Sequence, residues 1–113
     1  MWLANRRNMP KTAATVGNIA MTHLTMGNLD LALEMAQKAL RIKEEAYGVG
    51  HIQTAYAIDI IARVRAQQGD YPAALGMAEQ CLRIQRAAYG ASSNHPDIAE
   101  TTRLVNDIRA KME

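Results

Sequence analysis

The chain repeats itself at a spacing of 42 residues. Met-Gly-Asn-Leu at 26–29 returns as Gln-Gly-Asp-Tyr at 68–71, and Ala-Leu-Arg-Ile at 39–42 returns as Cys-Leu-Arg-Ile at 81–84. A fixed period of this size is typical of stacked-repeat proteins, whose units cannot bury their apolar faces alone and do so against their neighbours. The repeat therefore predicts a scaffold that presents surface, before any motif for bond chemistry is considered.

The composition excludes several classes of protein. The chain has 113 residues, which suits one domain, and it is 49% hydrophobic without phenylalanine, so its core has to consist mainly of Ala, Leu, Ile and Met. A net charge of +2 on interleaved acids and bases does not indicate nucleic-acid binding. No apolar run approaches the roughly 20 residues that span a membrane, and the single cysteine fits a reducing compartment. We expect a cytoplasmic protein that binds neither nucleic acid nor a membrane.

The spacing of apolar residues predicts an all-α fold. Apolar residues recur every three or four positions between turn signals, and no segment alternates with a period of two. Gly27-Asn28 and Gly69-Asp70 each end one helix and offer an N-cap to the next. The pattern predicts about five helices, alternately called A and B within each repeat, at about 10–26, 29–47, 52–68, 71–89 and 96–112.

These helices define the expected domain organisation, a single domain over 1–113. Repeat 1 covers about 10–51, repeat 2 about 52–95, and repeat 3 has only its A helix, at about 96–113. For residues 1–9 two interpretations stay open. Either they end a preceding B helix of a longer array, or Trp2 and Leu3 fold back as a cap on the first A helix.

The period alone also suits HEAT repeats and propeller blades, but the chain shows no strands and has a tight glycine turn inside each repeat. A pair of a large and a small residue precedes that glycine in each repeat, Ile19-Ala20 and Ile61-Ala62. Small residues recur after it, at Ala32 and Ala74 and in Ala39-Leu40 and Cys81-Leu82. The last helix begins at a His-Pro motif, His95-Pro96. With these motifs the chain resembles the 42-residue tetratricopeptide repeats of kinesin light chains. The resemblance implies a right-handed α-solenoid of antiparallel helix pairs, a tetratricopeptide superhelix that binds proteins without a cofactor.

The resemblance also implies that the A helices line a concave binding face. Asn18 matches the family's ligand-facing asparagine, whose amide can donate and accept hydrogen bonds, whereas the equivalent Ile60 and Leu104 cannot. The candidate partner-binding residues on this face are Asn18, Met21, Tyr56, Asp59, Arg63, Gln67, Arg103 and Asp107.

Arg63 and Arg103 are the candidates that would select a ligand by charge. A guanidinium binds a carboxylate at two points, so these residues favour an acidic protein or peptide. Alternatively, they pair with Asp59, Asp107 or Glu100 on a solvated face. Tyr56 could stack on a ligand or pack against a neighbouring helix.

The histidines and the cysteine point to structural roles. His51 and His95 lie just before A helices, where we expect capping or packing, and His23 is expected in the core. Cys81 replaces the small Ala39 of the first repeat, so we expect it to be buried and inert. None of the histidines has a nucleophile or carboxylate at an interpretable spacing. We therefore expect no enzyme, no metal site and no cofactor.

The function predicted from these features is a protein–protein interaction scaffold that binds a peptide or partner helix on its concave A-helix face. One alternative is a self-assembling structural unit that forms homo-oligomers by stacking through its open array ends. Another is a regulatory domain that senses a small ligand, which would require a closed apolar pocket.

Overall fold

A computed structural model describes the backbone of residues 2–113 and the side chains of residues 9–113. Five α-helices follow one another along the chain: α1 (Trp2–Thr25), α2 (Leu29–Tyr47), α3 (Ile52–Gln67), α4 (Tyr71–Tyr89) and α5 (Pro96–Lys111). No strand occurs within residues 2–113. The prediction of an all-α chain with about five helices is confirmed.

The helix bounds agree with the sequence pattern to within one residue, except at the start of α1. The two B helices, α2 and α4, have the predicted ends, and α3 and α5 each end one residue earlier than predicted. Helix α1 begins at Trp2 rather than near Pro10, which lies inside it. Proline lacks a backbone N–H but has a helix-compatible φ, so the helix continues through Pro10 with one hydrogen bond missing. The backbone of 2–9 thus belongs to α1, and the predicted cap contacts of Trp2 and Leu3 lie outside the described side chains.

Glycines with positive φ close the turn within each repeat. Gly27 has a φ of 80° and Gly69 a φ of 83°, values that glycine adopts without steric penalty. Beyond each glycine the chain bonds back to the preceding helix, as the backbone N–H of Asn28 donates to the carbonyl of His23 at 2.8 Å. This closure reverses the chain direction within three residues, which makes the A and B helices of one repeat antiparallel neighbours.

The two predicted N-caps at these turns differ from each other. The carboxylate of Asp70 accepts a hydrogen bond from the backbone N–H of Ala73 at 3.3 Å, so this cap is confirmed. Asn28 is the N-cap residue of α2, as predicted, but a capping hydrogen bond from its side chain would be the wrong expectation, because the side chain makes none. Its amide nitrogen lies 3.3 Å from Nδ1 of His23 instead. His23 is half-buried beside the turn, so its predicted place in the core is also wrong.

Each helix packs mainly on the next one in the chain, and α1 also touches α3. The molecule measures 51 × 35 × 19 Å, and its smallest dimension matches two layers of helices. Alanines let the layers approach closely, because they bury no bulky side chain between the helix backbones. On α2 and α4 these fully buried alanines are Ala32, Ala36, Ala39, Ala74 and Ala78.

The repeat symmetry breaks at the outer face of α1. Ile61 on α3 is 4% exposed and packs in a cluster with Ala32 and Ala36 of α2. Its repeat equivalent Ile19 on α1 is 41% exposed. No helix within residues 2–113 covers Ile19 as α2 covers Ile61, so this face of α1 remains open.

Candidate functional site

A groove of about 530 Å³ opens across α1, α3 and α5. It is lined by Ala14, Asn18, Met21, Lys43, Ile52, Gln53, Ala55, Tyr56, Asp59, Arg63, Gln85, Tyr89, Asp97, Glu100 and Thr101. The A helices supply most of these residues because each helix turns one side chain toward the groove every three or four positions. The result is one surface shared by both repeats.

The groove brings together five of the residues selected from sequence: Asn18, Met21, Tyr56, Asp59 and Arg63. Arg103 and Asp107 line a smaller neighbouring cavity of about 120 Å³, which shares Arg63 and Glu100 with the groove. Gln67 is exposed and lines neither cavity, because it occupies the last turn of α3.

Arg63 connects two helices at the groove. Its Nε donates to Asp59 on the same helix at 3.0 Å, and its Nη2 donates to Glu100 on α5 at 3.3 Å. Arg63 therefore pairs with carboxylates of its own face, which was the alternative expectation for this residue. Arg103 forms no ion pair with any side chain of residues 9–113.

Asp59 lies deeper in this cluster than its partners. Burial raises the pKa of its carboxyl, and the adjacent Arg63 guanidinium offsets part of that rise. Oδ2 receives the hydrogen bond from Arg63, whereas Oδ1 is buried without a hydrogen-bond partner among the described residues. The groove wall thus carries a hydrogen-bond acceptor that the protein itself leaves unused.

Tyr56 lies between α1 and a lysine of α2. A Cβ at Gly17 would stand 3.3 Å from Cε2 of Tyr56, so the glycine leaves room for this ring. On the other side, the ammonium of Lys43 lies 4.7 Å from the ring centroid, within the range of a cation–π interaction. The ring packs at Gly17 and is still 40% exposed, which leaves it accessible from the groove.

Lys43 and Gln85 line the groove although the sequence predicted ligand contacts only on A helices. They come from the B helices α2 and α4 at equivalent repeat positions, 42 residues apart. Lys43 is 5% exposed and Gln85 7% exposed, yet both line the groove. A signal was present, since each ends a buried stripe at helical spacing: Ala32, Ala36, Ala39, Lys43 and Ala74, Ala78, Cys81, Gln85. Polar residues are uncommon on such buried stripes, so a polar residue there indicates a role other than core packing.

Two histidines cap the helices that follow them, as predicted. Nδ1 of His51 accepts a hydrogen bond from the backbone N–H of Gln53 at 3.0 Å, and Nδ1 of His95 accepts one from Asp97 at 3.1 Å. The hydroxyl of Tyr89 donates to the Asp97 side chain at 3.1 Å. This network holds Tyr89 and Asp97 in place at the α5 end of the groove.

Cys81 is buried beneath the groove, as predicted. Its Sγ lies 3.5 Å from the carbonyl oxygen of Ala55 and 3.9 Å from the hydroxyl of Thr101. Burial raises the pKa of its thiol to about 12, with a smaller contribution from the charge of Asp59. A thiol with this pKa is almost fully protonated at neutral pH and is a poor nucleophile.

Two further features concern metals and membranes. In residues 9–113 no three His, Cys, Asp or Glu side chains are grouped so that they could hold a metal ion. Among the helices of the described chain, none combines the length and apolar character needed to cross a membrane.

The chain matches the model of a known protein family. The family model described as Tetratricopeptide repeat matches residues 11–87. This range contains most of α1, all of α2 and α3, and α4 up to its last two residues. No curated protein matches the chain.

Proposed function

Because the chain belongs to the tetratricopeptide repeat family, whose repeats generally mediate protein–protein interaction, we propose that it is a non-enzymatic scaffold that binds a peptide in the α1–α3–α5 groove. The observation that carries the proposal is the groove itself. Its volume of about 530 Å³ and its position on the A helices fit the side chains of an extended segment of several residues.

The chemistry of the groove supports a peptide rather than a small apolar molecule. Asn18 is exposed and offers an amide that can both donate to and accept from a peptide backbone. Met21 and Tyr56 add apolar contact area beside it. Charged side chains from α2, α3 and α5 line the same space, which disfavours the closed apolar pocket that a small-ligand sensor would require.

An acidic partner remains part of the proposal, but Arg63 is not the residue that would select it. Two of the five N–H groups of its guanidinium already donate to carboxylates, one to Asp59 and one to Glu100, and these carboxylates offset its charge. Arg103 is exposed and unpaired among the described side chains, so it is the freer of the two arginines. Selection of an acidic partner would therefore depend on cations of this surface other than Arg63.

We further propose that the repeats are of the kinesin-light-chain type, because their period is 42 residues, and that they form a right-handed superhelix with the groove on its concave side. The single cysteine favours the cytoplasm.

Panning a random library of C-terminally amidated peptides on the immobilised protein tests the proposal. We expect Tyr56→Ala and Asn18→Ala to weaken binding of the selected peptides, and Arg83→Ala, an exposed residue of α4 that does not line the groove, to leave it unchanged. If the two groove variants bind these peptides as well as the parent protein, the groove is not the binding site.

Self-assembly is a second candidate, favoured by the open face of α1. Ile19 is 41% exposed where its equivalent Ile61 is buried, so another helix could cover it and remove apolar area from water. Sedimentation over a concentration series tests this: assembly predicts a mass that falls on dilution and a lower mass for Ile19→Ser at equal concentration. A constant monomer mass would exclude it.

A further inference from the structure

Lys43 is a buried cation without a counter-ion among the side chains of residues 9–113. No carboxylate of this part of the chain lies within 4.0 Å of its ammonium, which lies 4.7 Å from the centroid of the Tyr56 ring. Glu44 and Glu45 follow it on α2 but point in other directions, since the helix turns by about 100° with each residue. Burial lowers the pKa of Lys43, and no nearby carboxylate offsets this. The uncompensated charge faces the groove.

Gln85 presents the complementary group one repeat further on. Its Oε1 is buried and has no hydrogen-bond partner among the described residues. An unpaired buried acceptor costs stability, because the group has lost water without gaining a donor. Gln85 also lines the groove, so a bound molecule could supply the donor. Lys43 and Gln85, which are equivalent positions of the two repeats, thus contribute a cationic donor and an unpaired acceptor to the same groove.

We propose that Lys43 and Gln85 together bind an acidic residue of an extended peptide. The Lys43 ammonium pairs with the Asp or Glu carboxylate, and Oε1 of Gln85 accepts a backbone N–H of the same peptide segment. This inference rests on the proposed peptide-binding function and identifies the partner class and the residues that recognise it.

The charges along the groove determine where the acidic residue lies. Asp97 and Glu100 lie on α5, where they would repel a carboxylate, whereas the Lys43 ammonium lies over the ring of Tyr56 on α3. We therefore place the acidic residue of the peptide at Lys43, away from the carboxylates of α5.

The test pans the same C-terminally amidated random peptides on four proteins: the parent, Lys43→Met, Gln85→Leu and Lys38→Met. Methionine keeps most of the length of lysine without its charge, and the exposed Lys38 on the same helix is the matched control. We expect the parent to enrich Asp or Glu at one peptide position. Lys43→Met should lose that enrichment by about tenfold, Gln85→Leu should bind the selected peptides about tenfold more weakly, and Lys38→Met should match the parent.

The panning results distinguish a failure of the Lys43 site from a failure of the proposed peptide binding on which it rests. If the parent selects no peptide at all, the proposed function fails. If the parent selects peptides without an acidic position, or if Lys43→Met keeps that preference, peptide binding stands and the Lys43 site is overturned. Should a variant not fold, as judged by circular dichroism, NMR of the parent with ε-¹³C-labelled lysine decides. The Lys43 signal should shift when a selected acidic peptide is added, while Lys11, Lys38 and Lys111 stay in place; an unmoved Lys43 signal overturns the inference.

Discussion

The imidazole of His95 stacks on the ring of Tyr89, with the two centroids 3.7 Å apart and the planes 3° from parallel. Tyr89 ends α4 and His95 caps α5, so one stacked pair joins consecutive repeats. The first repeat contains the same arrangement in Tyr47 and His51, with centroids 5.0 Å apart. The loop between repeats is therefore held by an aromatic contact together with a backbone hydrogen bond.

His95→Ala should destabilise the protein by about 1–2 kcal/mol, because it removes the cap of α5 and the stack on Tyr89 together. Urea denaturation measures the loss. His95→Asn is the matched control: its side chain can cap the helix but cannot stack as an imidazole does, so it should recover about half of the loss. A fully stable His95→Ala protein would contradict a structural role for this pair.

Gln85→Leu should raise stability by about 1 kcal/mol, since leucine of similar volume replaces an acceptor that has no partner. For a domain of this size the melting temperature would rise by roughly 4–8 °C. Differential scanning calorimetry measures this, with the exposed Gln37→Leu on α2 as a control expected to change little. Lower stability of Gln85→Leu would show that the native amide is satisfied in solution.

Gly76→Ala should stabilise α4 by about 1 kcal/mol. The glycine lies inside the helix, and an added Cβ would meet no atom within 4 Å, so only the entropy of the unfolded chain and helix propensity change. The same substitution at Gly69, where φ is 83°, should destabilise by about 1–2 kcal/mol, because alanine is strained in that conformation. Equal effects at both sites, measured by thermal unfolding, would refute this assignment of backbone conformations.

Cys81 should make stability fall with pH in the alkaline range. The folded-state pKa of its thiol is raised from 9.0 to about 12, so the folded protein holds the proton more tightly than the unfolded chain does. This contribution is fully present below pH 9 and is lost as pH rises toward 12, by up to about 1.4 kcal/mol per pH unit. Unfolding free energies of the parent and of Cys81→Ala, which matches Ala39 of the first repeat, should diverge above pH 9. Parallel pH profiles would contradict the raised pKa.

Arg63→Ala should destabilise the protein by about 1–3 kcal/mol, since it removes the only described hydrogen-bond donor to the half-buried Asp59. Arg103→Ala should stay within about 0.5 kcal/mol, because Arg103 is exposed and forms no described ion pair. Chemical denaturation of both variants distinguishes them. Similar losses at the two positions would mean that Arg63 contributes no specific pairing.

Much of the fold could be predicted because helix ends are local features. The glycine turns at 27 and 69 and the repeated spacing of alanine and leucine placed α2 and α4 at their observed ends. Errors arose where one residue permits two structures. Pro10 suits a first turn but is also tolerated inside α1, and Asn28 can cap α2 but its amide lies against His23 instead.

The candidate site was predictable only in part. The resemblance to tetratricopeptide repeats points to the A-helix face, helical spacing selects Asn18, Tyr56 and Arg63 on it, and all three line the groove. Neither argument selects Lys43 and Gln85, because both lie on B helices. Whether such a residue reaches a groove depends on how closely the next A helix packs over it.

The helices and their order follow from the amino-acid sequence, because propensities, turn residues and apolar spacing act within about ten positions, and the repeat is visible as a 42-residue period. Which charges are paired depends on how the helices pack. Arg63 finds Glu100, 37 positions away, because α3 and α5 place the two side chains within reach, whereas Lys43 lies in the groove without a carboxylate. Coulomb energy and desolvation depend on distances between helices, which local sequence does not encode.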